Sequence, residues 1–359
     1  MKYLESHSFD PEYNLSFEEY IFKNLPLDDG EEYVYLWQND NAVIIGKNQN
    51  AWAEINEEYI EENDVKLIRR ITGGGAVYHD LGNLNFSFIT KDKGTGKIDF
   101  STYYKPIVEA LRKIGAPAEL SGRNDISVEG KKVIGASQSI FQNRVLSNGC
   151  ILFDVEMENL AKALKVRPEK LVSKGVSSVK ARVTNIKPYV GEDKTVEEFK
   201  EILLKELFLQ KGEEPKEYKL SEEELKKIED IKKEKFGTRE WNWGKSPKGK
   251  FKNGVKFPYG WIELSFDINK GKLENLKILG DYFGTKDTKD LEIALENTEY
   301  EKSEIKKVLD NFDLKEYFGN QCKIEDILDL FFKKEIKMWS VNLEEIAFKN
   351  SSFKTKFFY

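Results

Sequence analysis

Arg69-Arg70-Ile71-Thr72-Gly73-Gly74-Gly75-Ala76-Val77-Tyr78-His79-Asp80 sets two guanidinium groups beside three glycines and runs directly into an apolar segment. Three consecutive glycines lose more backbone entropy on folding than an ordinary turn requires. What they offer is bare backbone, with amide donors and no side chains, which a ligand can approach closely. Arginines beside such a surface favour an anionic partner. A hairpin turn flanked by surface arginines would read the same way locally, so the segments around it have to decide.

Residues 31–37 and 42–46 read as strands, with Asn39-Asp40-Asn41 as the turn between them. A short helix is expected at 54–63 and a strand at 65–70 leading into the glycines. Leu84-Asn85-Phe86-Ser87-Phe88-Ile89 alternates apolar and polar, the pattern of a half-buried strand. Tyr103, Ile107, Ala110, Leu111 and Ile114 have helical spacing over 101–114, with Gly115 as the stop and Pro106 marking a late start or a kink. Strands are expected at 124–128, 132–140 and 149–155. The Lys/Glu-rich region 194–236 is helical, and Ser221 with Glu224 forms a capping box.

Trp241-Asn242-Trp243-Gly244-Lys245-Ser246-Pro247 reads as a junction. Beyond it Ile262, Leu264, Phe266 and Ile268 alternate with polar residues, Asn269-Lys270-Gly271 turns the chain, and a strand returns over Leu273 to Leu279. Helices are expected at about 286–298, 302–311 and 323–333. The fold class is α/β (α+β). A large mixed-sheet domain spans 1–245, with a helical connector at about 194–240. A small α+β domain follows at 246–340, then a tail at 341–359.

The chain has 359 residues, 40% hydrophobic and 33% charged, with a formal net charge of -6 spread along its length. That balance argues against a nucleic-acid binder, which carries a basic excess. Two cysteines without a CxxC, Cys150 and Cys322, exclude a disulfide framework and a structural zinc site and point to a reducing cytosol. His7 and His79 are too few for a histidine-rich metal centre. The first residues lack the apolar stretch of a signal peptide, and no apolar run approaches membrane-spanning length. A cytoplasmic protein with no membrane partner is expected.

A second segment joins the first: Ser121-Gly122-Arg123-Asn124-Asp125-Ile126, a hairpin at Glu129-Gly130, then Lys131-Lys132-Val133-Ile134-Gly135-Ala136-Ser137-Gln138. Side chains alternate faces along a strand, so only one of the two lysines can face a site. If Val133 packs into the core, Lys132 and Ile134 share the other face. Two solvated lysines at a hairpin are the plain alternative.

Together, RRITGGGAVYHDLGNLNFSF and GRNDISVEGKKVIGASQ resemble the lipoate–protein ligases, of the superfamily shared with biotin ligases and octanoyltransferases. The likeness runs from about residue 5 to about residue 335. It includes Trp37-Gln38-Asn39 with Ile45-Gly46-Lys47-Asn48-Gln49-Asn50, and the run Gly175 to Val183. The resemblance implies that lipoate's carboxylate attacks the α-phosphate of ATP, giving lipoyl-AMP and pyrophosphate. A lysine of an acceptor domain then takes the acyl group as an amide. The cofactors implied are ATP and Mg²⁺, and the partners are a glycine-cleavage H protein or the acyltransferase subunit of a 2-oxoacid dehydrogenase. A monomer is expected.

By the same resemblance Lys132 is the active-site lysine, and Arg70 contacts phosphate. Gly73, Gly74, Gly75, Ala76, Val77 and Tyr78 lie along the acyl-adenylate. His79 and Asn83 fall near the nucleotide, although His79 could instead cap the turn with Asp80. Asn124, Asp125 and Gly135 border the adenylate, and Asp125 could hold Mg²⁺ or order Lys132. Trp37 walls the lipoyl tunnel or is plain core. Ser178, Val179, Lys180 and Arg182 belong to a closing loop. The small domain swings against the large one, because the connector offers little apolar surface. The family has a small polar residue where this chain has Ile134, which removes a hydroxyl near the site. An octanoyltransferase would need a cysteine ahead of the lysine, where none stands; Cys150 lies elsewhere as a buried thiol. A non-catalytic carrier-binding protein is the remaining alternative, and the presence of Lys132 argues against it.

Overall fold

The computed structural model describes residues 1–28, 30–92, 96–122, 124–165, 182–243, 251–269 and 271–332. Ser178, Val179 and Lys180, the second half of the junction and the 341–359 tail lie outside the described residues.

The strands are β1 (Lys2–Leu4), β2 (Tyr33–Trp37), β3 (Ala42–Ile45), β4 (Lys66–Arg69), β5 (Val77–His79), β6 (Asn83–Lys91), β7 (Ala118–Ser121), β8 (Asp125–Val128), β9 (Lys131–Phe141), β10 (Arg144–Leu152), β11 (Phe251–Phe257), β12 (Gly260–Asn269) and β13 (Lys272–Gly280). Among the described residues they form a seven-stranded sheet in the order β1-β2-β6-β10-β9-β8-β7, a small sheet β4-β3-β5, and a third sheet β11-β12-β13. The large sheet is mixed, since β1 runs parallel to β2 and its other pairs are antiparallel.

The two strands expected on either side of Asn39-Asp40-Asn41, β2 and β3, form but do not pair with each other. Both edges of β2 are taken by β1 and β6, and both edges of β3 by β4 and β5, so the chain leaves one sheet for the other at Asn41. Every residue of β2 and of β3 is buried, as their continuous apolar runs require. β6 is also corrected: it is buried on both faces from Asn83 to Ile89. Its polar residues Asn85 and Ser87 face an enclosed layer of the protein in place of solvent.

One face of the large sheet carries Val34, Leu36, Leu84 and Phe86, and packs on the helices Phe100–Lys113 and Val196–Leu209. The other carries Tyr33, Tyr35 and Trp37, and packs on the first helix, Pro11–Asn24. The helix Phe100–Lys113 runs through Pro106, so the late start is not observed.

The connector departs from expectation. Helix Val196–Leu209 buries Phe199, Leu203, Leu207 and Phe208, and Phe199 stacks on Phe153 with ring centroids 4.7 Å apart. Helix Glu222–Ile231, continued through Phe236, packs on the first helix through Ile228 and Phe236. In the helix Val196–Leu209 the surrounding Lys/Glu surplus hides a narrow apolar stripe at i, i+4 and i+8, Phe199, Leu203 and Leu207, enough to dock a helix. Both helices start with formed capping boxes, Thr195 with Glu198 and Ser221 with Glu224.

In the C-terminal part, helices at Lys289–Leu295, Lys302–Leu309, Leu314–Phe318 and Ile324–Phe332 pack with the third sheet around Leu264, Phe266, Leu291 and Phe331. β11 and the helix Leu314–Phe318 were not foreseen; Gly254 and three lysines or asparagines break any alternation in β11. This part seats against the glycine segment. The amide of Gly280 donates to the Asn48 carbonyl at 2.7 Å, Lys47 pairs with Asp287 at 3.0 Å, and the Phe283 ring lies 5.1 Å from that of Phe100.

Leu203→Ala should destabilise the large domain by about 2–5 kcal/mol, the usual cost of an unfilled core site, measured by urea unfolding. A change below about 0.5 kcal/mol, the range of surface substitutions, would mean that the connector helix is not part of this core.

Candidate active site

Two cross-strand rows on the first-helix face of the large sheet build the site. Trp37, Asn85, Cys150 and Gly135 stand side by side on β2, β6, β10 and β9. Two residues further along, Tyr35, Ser87, Asn148 and Ser137 repeat the row. A cavity of about 560 Å³, its open mouth included, lies over them and is lined by all four members of the first row together with Lys132 and His79. Arg70, Gly75, Ala76, Val77 and Asn124 close it from the β4–β5 side and from β8.

Lys132 reaches this cavity because β9 bulges. The turn Glu129-Gly130 has positive φ at both residues, 50° and 75°, as a two-residue hairpin demands. Ser127 then pairs with Lys132 and Ile126 with Ile134, so Val133 is the extra residue. The bulge overturns the expected alternation: Val133 and Ile134 both enter the core, and Lys132 shares its face with Gly135. A Cβ at Gly135 would stand 3.0 Å from the Lys132 Nζ, so a glycine leaves room for the amine. Ile134 is fully buried and does not line the cavity, so its lost hydroxyl does not touch the site.

Asp125 Oδ1 lies 2.8 Å from Lys132 Nζ. Where β10 has run out, residues 182–184 take its place: the Lys132 amide donates to the Arg182 carbonyl at 2.9 Å, and the Thr184 amide donates to the Lys132 carbonyl at 3.0 Å. The end of the expected closing loop is thus tied to the lysine's own backbone. Asn124 is fixed beside it by donating from Nδ2 to the Ala136 carbonyl at 2.6 Å.

The two arginines point apart. Arg69 is buried away from the cavity and donates to the carbonyls of Gly46, Gln49, Trp241 and Asn242. Arg70 lines the cavity, and its donors are engaged by the glycine segment: Nη2 to the Gly73 and Gly75 carbonyls at 2.6 and 2.8 Å, Nη1 to Ile44, and Nε to Thr72 Oγ1. Burial lowers its pKa to about 10, which leaves the cation intact at neutral pH. Arg70 therefore holds the loop's shape and supplies a positive charge beneath it. Gly74 has φ +93°, and both Gly73 and Gly74 abut Phe283.

His79 is buried and lies edge-on to Trp37, ring centroids 6.3 Å apart. Asn14 Nδ2 donates to Asn39 Oδ1, and Asn39 Nδ2 donates to His79 Nδ1, each at 3.1 Å. That network assigns the ring proton to Nε2. Burial, with the Arg70 charge, lowers the His79 pKa to about 3. Asp80 caps the turn in its place, accepting from the amides of Gly82 and Glu156.

Asn83 and Tyr78 do not line the cavity. Asn83 accepts the Asp80 amide and donates to Cys150 Sγ, and Tyr78 packs behind the small sheet. Cys150 is a buried thiol, as expected, and it lines the cavity directly across from Gly135, which the sequence did not show. Burial pushes its thiol up to about 12.

One buried acid escaped the sequence reading. Glu18, on the first helix, accepts from Ser87 Oγ at 2.5 Å and from Asn148 Nδ2 at 2.8 Å, holding the second row together. Burial raises its pKa, while Ser87, Asn148 and the Arg70 charge act to lower it. No local motif marks it, because its helix lacks a continuous polar face and buries Asn14, Ser16 and Glu19 as well. Among the described residues no cluster of three or more His, Cys, Asp or Glu is placed to hold a metal, and no helix is long and apolar enough to cross a membrane.

The mixed sheet thus carries an amine, an arginine-held glycine loop and a half-open cavity on one face. The lipoyl protein ligase A/B catalytic domain model matches residues 10–208, and the bacterial lipoate protein ligase C-terminus model matches residues 246–331. A lipoate-protein ligase of Bacillus subtilis is 45% identical over 90% of this chain and 97% of its own. Lipoate–protein ligase 1 of Staphylococcus aureus is 43% identical over 89% and 97%. Among solved structures, that of P. falciparum LipL1 in complex with lipoate superposes with a TM-score of 0.72 at 26% identity, covering 93% of this chain and 99% of that one. Lipoate-protein ligase A bound with ATP superposes with a TM-score of 0.58 at 27% identity, covering 68% and 98%. The chain belongs to the lipoate–protein ligase family.

The folded His79 ring takes its proton only near pH 3, against 6.5 for a free histidine. The stability it lends is complete above about pH 6.5 and falls as pH drops toward 3. Its NMR ring shifts should stay flat between pH 8 and 5; a midpoint between 6 and 7 would contradict the buried neutral ring.

Proposed function

We propose that the chain activates lipoate with ATP at the Lys132 end of the cavity and passes the lipoyl group to a lysine of an acceptor domain. The observation that carries this reading is the bulge that brings the Lys132 amine to the end of a largely neutral row. Two anions, a carboxylate and an α-phosphate, have to meet in the first step. At about 4 Å and an effective dielectric of about 20, one fixed cation between them is worth roughly 4 kcal/mol before desolvation. Lys132 acts as that cation, steadied by Asp125, and then polarises the acyl carbonyl while the acceptor amine attacks and AMP leaves. No covalent enzyme intermediate is formed.

The acyl chain lies along Gly135, Cys150, Asn85 and Trp37. Gly73, Gly74, Gly75, Ala76 and Val77, supported by Arg70, face the adenylate with Asn124. The role that the resemblance gives Ser178, Val179, Lys180 and Arg182 is to keep water from a hydrolysable anhydride. Mg²⁺ would arrive with the nucleotide; Asp125 is the residue that would help to hold it, and the ion would supply neutralisation of phosphate charge. The acceptor is a lipoyl-bearing domain, either a glycine-cleavage H protein or a 2-oxoacid dehydrogenase acyltransferase subunit. An archaeal ligase from Thermoplasma acidophilum, 30% identical over 69% of this chain, was solved in a study of its lipoylation system with an E2 lipoyl domain. The chain works as a monomer in the cytosol, and its catalytic and accessory domains meet at about residue 245.

A thiol-based acyl transfer through Cys150 is the reading the cavity lining raises. A buried thiol whose pKa is near 12 supplies almost no thiolate at neutral pH, which favours the ligase.

Lys132→Ala should cut lipoate-dependent exchange of labelled pyrophosphate into ATP by several hundred-fold, about the worth of 4 kcal/mol, in a protein that still folds. Exchange at the wild-type rate would remove Lys132 from the mechanism.

A further inference from the structure

Two buried N–H donors in the cavity have no use within the protein. Asn85 stands between Trp37 and Cys150 in the first row, and its Nδ2 finds no hydrogen-bond partner among the described residues. His79 Nε2 is likewise buried without a partner. The Asn14–Asn39 chain occupies Nδ1, so Nε2 is the nitrogen that carries the proton. Both residues line the cavity. A purely structural position in the middle of a seven-stranded sheet would take an apolar side chain or pair its carboxamide, because an unmatched buried donor is costly.

Neighbouring strands are about 4.8 Å apart, so Asn85 stands roughly 10 Å from Gly135 along the row. A medium-length acyl chain held at Lys132 therefore brings its far end to these donors. We propose that Asn85 and His79 make this end of the cavity select a chain that ends in sulfur over a plain alkyl chain of equal length. This deepens the reading of the site as a lipoate-activating one and rests on it.

An alkyl chain seals both donors from water and leaves them unpaired. The polarisable sulfurs of a dithiolane are weak acceptors and relieve part of that penalty. The effect is a difference between substrates, so it appears in their kcat/KM ratio.

The test compares lipoate with octanoate in pyrophosphate exchange, using the full chain, wild type beside Asn85→Leu and His79→Leu, with folding checked by circular dichroism. Wild type should favour lipoate by about tenfold or more, the scale of one unmatched buried donor. Each variant should narrow that ratio several-fold, chiefly by improving octanoate. A packing role would lower both acids alike and leave the ratio where it was. An unchanged ratio in the folded variants, or equal use of both acids by wild type, overturns this inference and leaves lipoate activation standing. Exchange with neither acid would overturn the proposed function and this inference together. If one variant does not fold, the other decides.

Discussion

One extra residue in β9 governs the chemistry of this protein. Without the bulge at Val133, strict alternation would put Lys132 on one face with Ile134, and Gly135 on the other. With it, two successive apolar residues enter the core and the lysine joins the glycine over the cavity. A bulge costs ladder hydrogen bonds and re-aims a side chain. Here part of that loss is offset, because Lys132's backbone bonds to residues 182–184 where β10 has ended. The same contact couples the lysine to the segment leading out of 166–181.

Around this point the protein buries an unusual amount of polarity and satisfies most of it. Glu18 joins Ser87 and Asn148, and Asn148 and Thr72 both meet Ser137 Oγ. Thr72 also accepts from Arg70, which grips the glycine segment. A continuous hydrogen-bonded path thus runs from the first helix, under the large sheet's second row, to the loop proposed to face the adenylate. Such a path is stable only when nearly every member is paired. Glu18 Oε2, Asn85 Nδ2 and His79 Nε2 are buried without a partner among the described residues, and of the three residues Asn85 and His79 line the cavity, which is why they bear on the ligand. The C-terminal part adds Phe283 against Gly73 and Gly74, so the loop's environment changes if that part moves.

Much of the scaffold was legible because it is local. The Glu129-Gly130 turn, the capping box at Ser221 and the strand pair around Asn269-Lys270-Gly271 are read from neighbours in sequence, and each is observed. Trp37, Arg70, His79, Asn124, Lys132 and Gly135, all named from the sequence, come together in one cavity. What was not legible depends on partners far along the chain. The separation of β2 and β3 into two sheets depends on which edges are already occupied. The bulge depends on how β8 meets β9. The place of Cys150 in the cavity depends on its row, which pairing with Asn85 of the distant strand β6 completes. The helical connector read as offering little apolar surface because Phe199, Leu203 and Leu207, at helical spacing, are outnumbered by lysine and glutamate. Asn83, next to the glycine motif in sequence, serves the turn and Cys150 and stays outside the cavity.

The most direct test of the central claim is a crystal structure with a non-hydrolysable lipoyl-adenylate analogue bound. The account predicts Lys132 Nζ within about 3 Å, hydrogen-bond distance, of both the acyl and the phosphate oxygens, with the acyl chain running across Cys150 and Asn85 toward Trp37. An analogue bound with its acyl–phosphate junction away from Lys132, or with its chain off this row, would contradict it.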